Sequence, residues 1–116
     1  MIDATTEFFS VLGQRGHEPL LAKVTGTLRF DLVQGERIEH CFVTIRKGNV
    51  AISEENTEAD CVVRADRSLF DCMVRGEQNA MAAALRGALV FRGNAALLLS
   101  FQRLFTGPAT RSTSAD

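Results

Sequence analysis

The chain has 116 residues, with 13 Lys and Arg against 14 Asp and Glu and a formal net charge of −1. A chain of this length forms one domain and buries roughly 65% of the surface that its unfolded form exposes. Balanced charges without a long basic run argue against a nucleic-acid-binding protein. Because Arg86 and Arg92 interrupt the most apolar region, no stretch approaches the ~20 residues of a membrane span.

The first residues of the chain and its cysteines favour a reducing intracellular compartment. The first residues are acidic and polar and lack the basic and apolar regions of a signal peptide. Cys41, Cys61 and Cys72 are an odd number without a close pair, which is typical of free core cysteines in a reducing compartment. We therefore expect a cytoplasmic protein whose domain spans 1–106, with a disordered polar tail at 107–116.

The first predicted element is a helix over 3–12, because its phenylalanines and leucine fall on one side. Gly13 and Gly16 provide its stop signals. After this helix the apolar period changes from about four to two, which is typical of half-buried strands. The predicted elements are a strand from Val24, a turn at 34–36, a strand at 37–46, a turn at 47–49, a strand with Val50 and Ile52 inward, a solvated loop at 54–58 and a strand at 59–65. Their order predicts an antiparallel meander.

Two short helices follow the strands. Asp66 is a suitable N-cap for the first, which ends at Gly76, and Asn79 for the second, which ends at Gly87. Each carries an apolar stripe with i, i+1, i+4, i+5 spacing. The stripes consist of Leu69, Phe70, Met73 and Val74 in the first helix and of Ala80, Met81, Ala84 and Leu85 in the second.

The chain closes with one more strand and one more helix. The strand at 88–92 directs Leu89 and Phe91 inward. Asn94 caps a last helix, which Gly107 and Pro108 end. Its apolar side consists of Leu97, Leu98, Phe101, Leu104 and Phe105.

Several segments between Gly26 and Phe105 carry a family resemblance. They are Gly26-Thr-Leu-Arg-Phe-Asp-Leu32, Val43-Thr-Ile-Arg-Lys-Gly48, Ala59-Asp60 with alternating apolar residues after it, and Gly76 followed by Asn79-Ala-Met-Ala-Ala-Ala-Leu-Arg-Gly-Ala-Leu-Val-Phe-Arg-Gly-Asn94. In this order they resemble the sterol carrier protein family of type two. The resemblance implies an α+β fold, in which about four helices cover one face of a five-stranded, mainly antiparallel sheet, with an apolar tunnel between the layers. It also implies binding of fatty acids, fatty acyl-CoAs, sterols or other lipids without a cofactor.

Two positions depart from the family pattern. A bulky aromatic is expected where Cys41 stands, so either the pocket is deeper here or another side chain fills the gap. The chain ends Ser-Thr-Ser-Ala-Asp116 without the peroxisomal tripeptide of eukaryotic members, from which we expect a bacterial cytoplasmic protein.

The apolar helix faces can be plain core or the lining of a lipid tunnel. Helical spacing alone favours plain core, whereas the resemblance favours a tunnel. Methionine adapts to irregular ligand surfaces, and the neighbouring alanines leave volume unfilled. The predicted lining residues are Phe70, Met73, Met81, Ala84, Leu85, Phe91, Leu97, Phe101 and Phe105.

A charged lipid head group has to stay near solvent, because burying an unpaired charge is costly. Solvated surface remains the alternative interpretation for every residue that could meet such a group. The candidates for a tunnel mouth are Arg15, His17, Lys23, Arg75 and Gln78.

No pattern of catalytic or metal-binding residues stands out. His40 and Cys41 are neighbours on a predicted strand, so their side chains point to opposite faces and cannot form a Cys-His pair. The cysteines lack zinc-site spacing, and the acidic group around Glu54 lacks that of a calcium loop. We therefore expect a non-enzymatic protein without catalytic residues, metal or cofactor, whose partner is a small lipid.

An accessory or interaction module is the alternative to a free carrier. Phe42 and Val90 are predicted to point away from the helical layer, and an exposed apolar patch there would indicate a protein interface. In that case the partner would be an enzyme of lipid metabolism, to which the domain presents a lipid intermediate.

Overall fold

The computed structural model describes residues 4–54 and 58–105. They form an α+β domain, as predicted. Its helices are α1, Ala4–Arg15; α2, Arg67–Val74; α3, Ala80–Leu85; and α4, Ala95–Gln102. Its strands are β1, Thr25–Gln34; β2, Arg37–Arg46; β3, Asn49–Ser53; β4, Cys61–Asp66; and β5, Leu89–Gly93, with a short 3₁₀ helix, Pro19–Leu21, before β1.

The five strands form one sheet in the order β3-β2-β1-β4-β5. Neighbouring strands are antiparallel except β1 and β4, which run parallel with Leu28 opposite Cys61. The mainly antiparallel sheet is therefore confirmed, but the simple meander is wrong at one step. After β3 the chain crosses to the far side of β1, where β4 pairs with it. Alternation of apolar and polar residues along a strand predicts which face each residue occupies, but it does not predict which strand lies next to it.

The inner face of the sheet packs against the helices and forms the core. The predicted inner residues of β1 and β4 are buried, as are Val43 and Ile45 of β2, whereas Cys41 of β2 and Ile52 of β3 are half-buried. On the outer face the structure departs from the expected exposed patch. Val90 is 57% exposed, but Phe42 is 2% exposed although it lies outside the core cluster.

Helix α1 continues through Gly13 and ends at Arg15, beyond the expected end at Leu12. Gly13 lies where the helix passes β3, and a Cβ added to it would come within 3.2 Å of the Ile52 side chain. The close approach of α1 to the sheet at this point explains why position 13 is a glycine. The helix stops at Gly16, whose φ of 68° is readily adopted by glycine.

The predicted asparagine caps are confirmed at Asn79 and Asn94, whose side chains accept hydrogen bonds from the following backbone N–H groups. Asp66 occupies the N-cap position of α2 without a side-chain capping bond. The predicted stripe of α3 is wrong in part, since Leu85 is 87% exposed while Ala80 and Ala83 are buried.

Some expectations concern residues outside the described part of the chain. These are the centre of the loop at 55–57, the helix stop at Gly107 and Pro108, and the tail beyond it.

Candidate functional site: two clefts beside a phenylalanine cluster

Six phenylalanine rings meet in the core and at its margin, with neighbouring centroids 5.2 to 5.9 Å apart. This phenylalanine cluster consists of Phe8 and Phe9 from α1, Phe30 from β1, Phe70 from α2, and Phe101 and Phe105 from α4 and the residues after it. Edge-to-face pairs dominate, an arrangement that the ring quadrupole favours. Three helices and the sheet are therefore joined through aromatic contacts.

The predicted lining residues divide into a core group and a surface group. Phe70, Met73, Leu97 and Phe101 are buried, and Ala84, Phe91 and Phe105 pack against the core. Met81 is half-buried, and Leu85 lies on the surface. The structure thus brings Phe70, Phe101 and Phe105 together in the phenylalanine cluster and leaves Leu85 away from it.

A cleft of about 610 Å³ opens between the first turns of α1 and the sheet, and we call it the β-side cleft. Its apolar lining consists of Phe9, Leu32, Cys41 and Ile52, and its polar lining of Thr5, Thr6, Glu39, His40, Glu54 and Arg67. A further depression of about 580 Å³ lies beside the later turns of the same helix and shares Phe9 and Ile52 with it. Together they form a groove that follows α1, whose 12 residues span roughly 18 Å.

Cys41 forms part of the wall of the β-side cleft. Burial, together with the nearby charge of Glu54, raises the pKa of its thiol to about 12. The thiol therefore stays protonated at neutral pH, and Cys41 serves as a small apolar side chain. Because an aromatic residue was expected here, the cysteine leaves space in the cleft that a ring would occupy.

A second cleft of about 440 Å³ lies on the other side of α1, and we call it the helix-side cleft. Its apolar lining consists of Ala4, Phe8, Val11, Leu12, Val74 and Leu104, and its charged lining of Glu7, Arg15, Glu18 and Arg75. Arg15 Nη2 lies 3.2 Å from Glu18 Oε1, and Arg75 Nε donates to Glu77 Oε2 at 3.2 Å. Two predicted mouth residues, Arg15 and Arg75, therefore lie beside one apolar cleft.

The other predicted mouth residues lie elsewhere. His17 Nδ1 is 3.0 Å from Asn49 Oδ1, and the Gln78 carbonyl accepts a 3.0 Å hydrogen bond from Arg86. Lys23 is exposed and lines neither of the two clefts.

A polar network, which we call the α1 anchor, holds the first turn of α1. The Asp71 carboxylate of α2 accepts from the backbone N–H of Thr5 at 3.0 Å and from its hydroxyl. Arg67 of α2 donates to Thr6 and to Glu39 of β2. The Asp71 carboxylate of α2 thus accepts from a backbone N–H of the first turn of α1, which has no partner within its own helix. The apolar periodicity of one segment cannot predict this contact between two helices.

His40 borders the β-side cleft, but its ring is directed to Asp31, its neighbour on β1, whereas Cys41 lies opposite the buried Phe30. His40 Nδ1 lies 2.6 Å from Asp31 Oδ1, to which Arg29 Nε also donates at 2.8 Å. Burial tends to raise the pKa of Asp31, but the hydrogen bonds and charges of Arg29 and His40 outweigh it and hold the pKa below its usual range. Within residues 4–54 and 58–105, no group of His, Cys, Asp and Glu is arranged to hold a metal ion.

The model of the SCP-2 sterol transfer family matches residues 9–106. The chain belongs to this family. Membership in the SCP-2 sterol transfer family implies lipid binding or transfer as the general function, and it confirms the resemblance seen in the sequence. No curated protein sequence matches the chain.

Solved structures of the same fold agree with this SCP-2 assignment. The apo form of sterol carrier protein 2 from Yarrowia lipolytica has a TM-score of 0.73 at 18% identity, over 90% of this chain and 93% of that chain. The ubiquinone synthesis protein UbiJ-SCP2 has a TM-score of 0.66 at 21% identity, over 86% and 90%. The sec-alkylsulfatase Pisa1 from Pseudomonas sp. has a TM-score of 0.70 at 19% identity, over 86% of this chain and 16% of the enzyme. At these identities the matches show the fold.

Proposed function

We propose that this SCP-2 domain is a non-catalytic, cytoplasmic lipid carrier. It would hold a fatty acid, fatty acyl-CoA, sterol or similar ligand in an apolar tunnel between helices and sheet. The observation that carries the proposal is the position of the phenylalanine cluster between clefts of about 610 and 440 Å³, volumes in the usual range of ligand sites. The three free cysteines agree with a reducing compartment.

In this proposal the ligand enters along α1. Phe8 and Phe9 are the side chains by which α1 closes the cluster. Movement of α1 away from the sheet would join the two clefts through the cluster and turn Phe70, Met73, Phe101 and Phe105 into tunnel lining. Each buried methylene of the ligand would contribute about 0.8 kcal/mol, so an acyl chain binds without polar contacts at depth.

The head group of a fatty acid would lie at the rim of the helix-side cleft. Arg15 and Arg75 are exposed there, so a carboxylate could pair with a guanidinium and remain hydrated. The present partner of Arg75, Glu77, is exposed, where such an ion pair exchanges at little cost. Glu18, the partner of Arg15, is buried and also accepts from the Leu20 backbone N–H, so Arg75 is the more readily released of the two arginines. Neutral sterols would gain nothing from these arginines.

Filling the β-side cleft tests the proposal. In Cys41→Phe and Ile52→Phe the new ring occupies the cleft, and we expect the affinity for palmitic acid to fall at least tenfold, measured by native mass spectrometry and by thermal shift. Leu20→Phe, at an exposed position of the 3₁₀ helix, is the matched control and should bind as the wild type does. Circular dichroism confirms folding. Unchanged binding in both cleft variants would remove the β-side cleft from the lipid site.

The second candidate function is that of an accessory domain presenting a lipid intermediate to an enzyme. The matches to part of a sec-alkylsulfatase and to a ubiquinone synthesis protein favour it. A free carrier is expected to run as a monomer and to take up lipid alone. An accessory domain is expected to take up lipid and also to form a stable complex with one enzyme of lipid metabolism, as measured by size-exclusion chromatography of the purified pair.

A further inference from the structure

A further cleft, of about 530 Å³, lies between the end of α2, the start of α3 and the end of α4, and we call it the donor cleft. Its apolar lining is the buried Met73 together with Phe105 of the phenylalanine cluster. Its polar lining consists of Glu77, Gln78, Asn79, Gln102 and Arg103. The helix-side cleft is its neighbour, because residues 74, 75 and 104 line that cleft.

The three carboxamides of the donor cleft have their carbonyl oxygens engaged within the protein. Gln102 Oε1 accepts from the Ala80 backbone N–H at 3.3 Å, and Gln78 Oε1 accepts from Arg86 Nη1 at 3.0 Å. The Asn79 oxygen caps α3. Each amide also has a nitrogen with two donor hydrogens, and none of the three nitrogens donates a hydrogen bond to another part of the described chain. Donors are therefore what these side chains have left to offer a ligand.

The charges around the donor cleft favour the same kind of ligand. Residues 78–105 contain three arginines and neither Asp nor Glu. Arg103 forms no ion pair with any residue that the structure describes. The acidic residue of the lining, Glu77, is held by Arg75, whose Nε and Nη2 lie 3.2 and 3.4 Å from its two carboxylate oxygens. The lining thus combines hydrogen-bond donors with an uncompensated positive charge.

We propose that the donor cleft binds the phosphate group of a lipid head group through the amide nitrogens of Gln78 and Gln102 and the guanidinium of Arg103. The inference rests on the lipid-carrier function proposed above, since it names the head-group chemistry of the same cargo. A phosphate ester carries about 1.5 to 2 negative charges and three strong acceptor oxygens. Donors that meet an ionised phosphate form charge-assisted hydrogen bonds, which are stronger than neutral ones.

The phenylalanine cluster connects the donor cleft to the place of the acyl chain. The ring of Phe105 lies 5.3 to 5.8 Å from those of Phe8, Phe70 and Phe101, measured between centroids. An acyl chain that lies along the cluster therefore reaches the donor cleft with its polar end. The smaller carboxylate of a fatty acid stays at the neighbouring helix-side rim.

Three cargoes with the same palmitoyl chain test the donor cleft. They are palmitic acid, palmitoyl lysophosphatidic acid and palmitoyl-CoA, each below its critical micelle concentration. We expect the wild type to bind one or both of the phosphate-bearing cargoes at least about tenfold more tightly than palmitic acid, measured by isothermal titration calorimetry. A preference for lysophosphatidic acid alone would identify a phospholipid head group as the source of the phosphate, and a preference for palmitoyl-CoA alone would identify CoA.

Replacing the glutamines by glutamates removes the donors and keeps the internal contacts. In Gln78→Glu and Gln102→Glu an oxygen still accepts the present hydrogen bond, while the amide nitrogen is replaced by a charged acceptor. We expect each variant, and Arg103→Gln, to weaken binding of the preferred phosphate-bearing cargo about tenfold or more and to change palmitic acid binding by less than about twofold. The matched controls are Gln34→Glu and Arg37→Gln, at exposed positions of β1 and β2, and they should bind as the wild type does.

Equal affinity of the wild type for all three cargoes would overturn the phosphate site and leave the carrier function standing. An undiminished phosphate preference in the glutamate variants would overturn it as well. Equal losses in the control variants, or an equal loss of palmitic acid binding, would show that the effect does not come from the donor cleft. A wild type that binds none of the cargoes would contradict the carrier function itself.

Discussion

Helices α3 and α4 begin alike and are used differently. Each starts with an asparagine whose side chain accepts from two backbone N–H groups. Helix α4 then buries Leu97, Leu98 and Phe101, whereas α3 buries only alanines, Ala80 and Ala83, among its apolar residues. The comparison teaches that a cap decides where a helix starts, while the size of its side chains decides how it packs.

The small side chains bring α3 close to β5 and leave its larger residues outside. All six residues of α3 are apolar, so no polar residue marks the solvent side, and two different stripes fit the pattern equally well. Packing against β5 selects the alanine stripe, and Leu85 then points to solvent.

Removal of the central α4 side chain should have the largest effect. Phe101→Ala deletes a fully buried ring that contacts Phe8, Phe30 and Phe105. We expect a loss of about 3–5 kcal/mol in the free energy of unfolding, measured by urea denaturation. Leu99→Ala, 40% exposed on the same helix, is the control and should cost less than about 1 kcal/mol. Equal losses would contradict the assignment of α4 to the core.

Enlarging the alanine stripe of α3 should have the next largest effect. Ala83 is fully buried, so Ala83→Leu forces α3 away from β5 and should cost about 1–3 kcal/mol in urea denaturation. Ala82→Leu, on the exposed side, should change stability by less than about 0.5 kcal/mol. If neither variant changed the free energy of unfolding, the conclusion that α3 packs closely against β5 would be wrong.

Removal of the two capping asparagines compares how strongly each helix contributes to global stability. We expect Asn94→Ala to lower the free energy of unfolding by about 1 kcal/mol, because α4 carries part of the core. Asn79→Ala should lower it by less and should instead speed amide exchange within α3, because a six-residue helix opens locally. Asn→Ser at either position keeps a capping oxygen and serves as the control. Identical global losses would speak against local opening of α3.

The smallest effect is expected on the exposed side of α3. Leu85→Gln should change the free energy of unfolding by less than about 0.5 kcal/mol, since the side chain is 87% exposed. A loss near that of Ala83→Leu, measured under the same conditions, would place Leu85 in the core instead.

Local patterns predicted the strand faces and the caps, because a period of two and a capping asparagine act within one segment. They missed the parallel pairing of β1 with β4, which depends on a distant part of the chain. They also missed the burial of Asp31 on the outer face, where Arg29 and His40 from β1 and β2 satisfy its carboxylate.

The candidate site was also predictable only in part, because local patterns describe single elements and the site is built from several. Phe70, Phe101 and Phe105 follow helical spacing, and the structure brings them together. The β-side cleft joins α1, α2 and three strands, so periodicity in one element cannot reveal it. One signal did exist in the sequence, since Cys41 stands where the family pattern expects an aromatic ring.

Native mass spectrometry of the purified protein, followed by denaturing extraction, tests the carrier function most directly. The account predicts one retained lipid per chain, a fatty acid, acyl-CoA, sterol or similar apolar molecule, or its uptake from a lipid panel with a rise in melting temperature. A protein that is empty after purification and gains neither mass nor melting temperature with any lipid would contradict it.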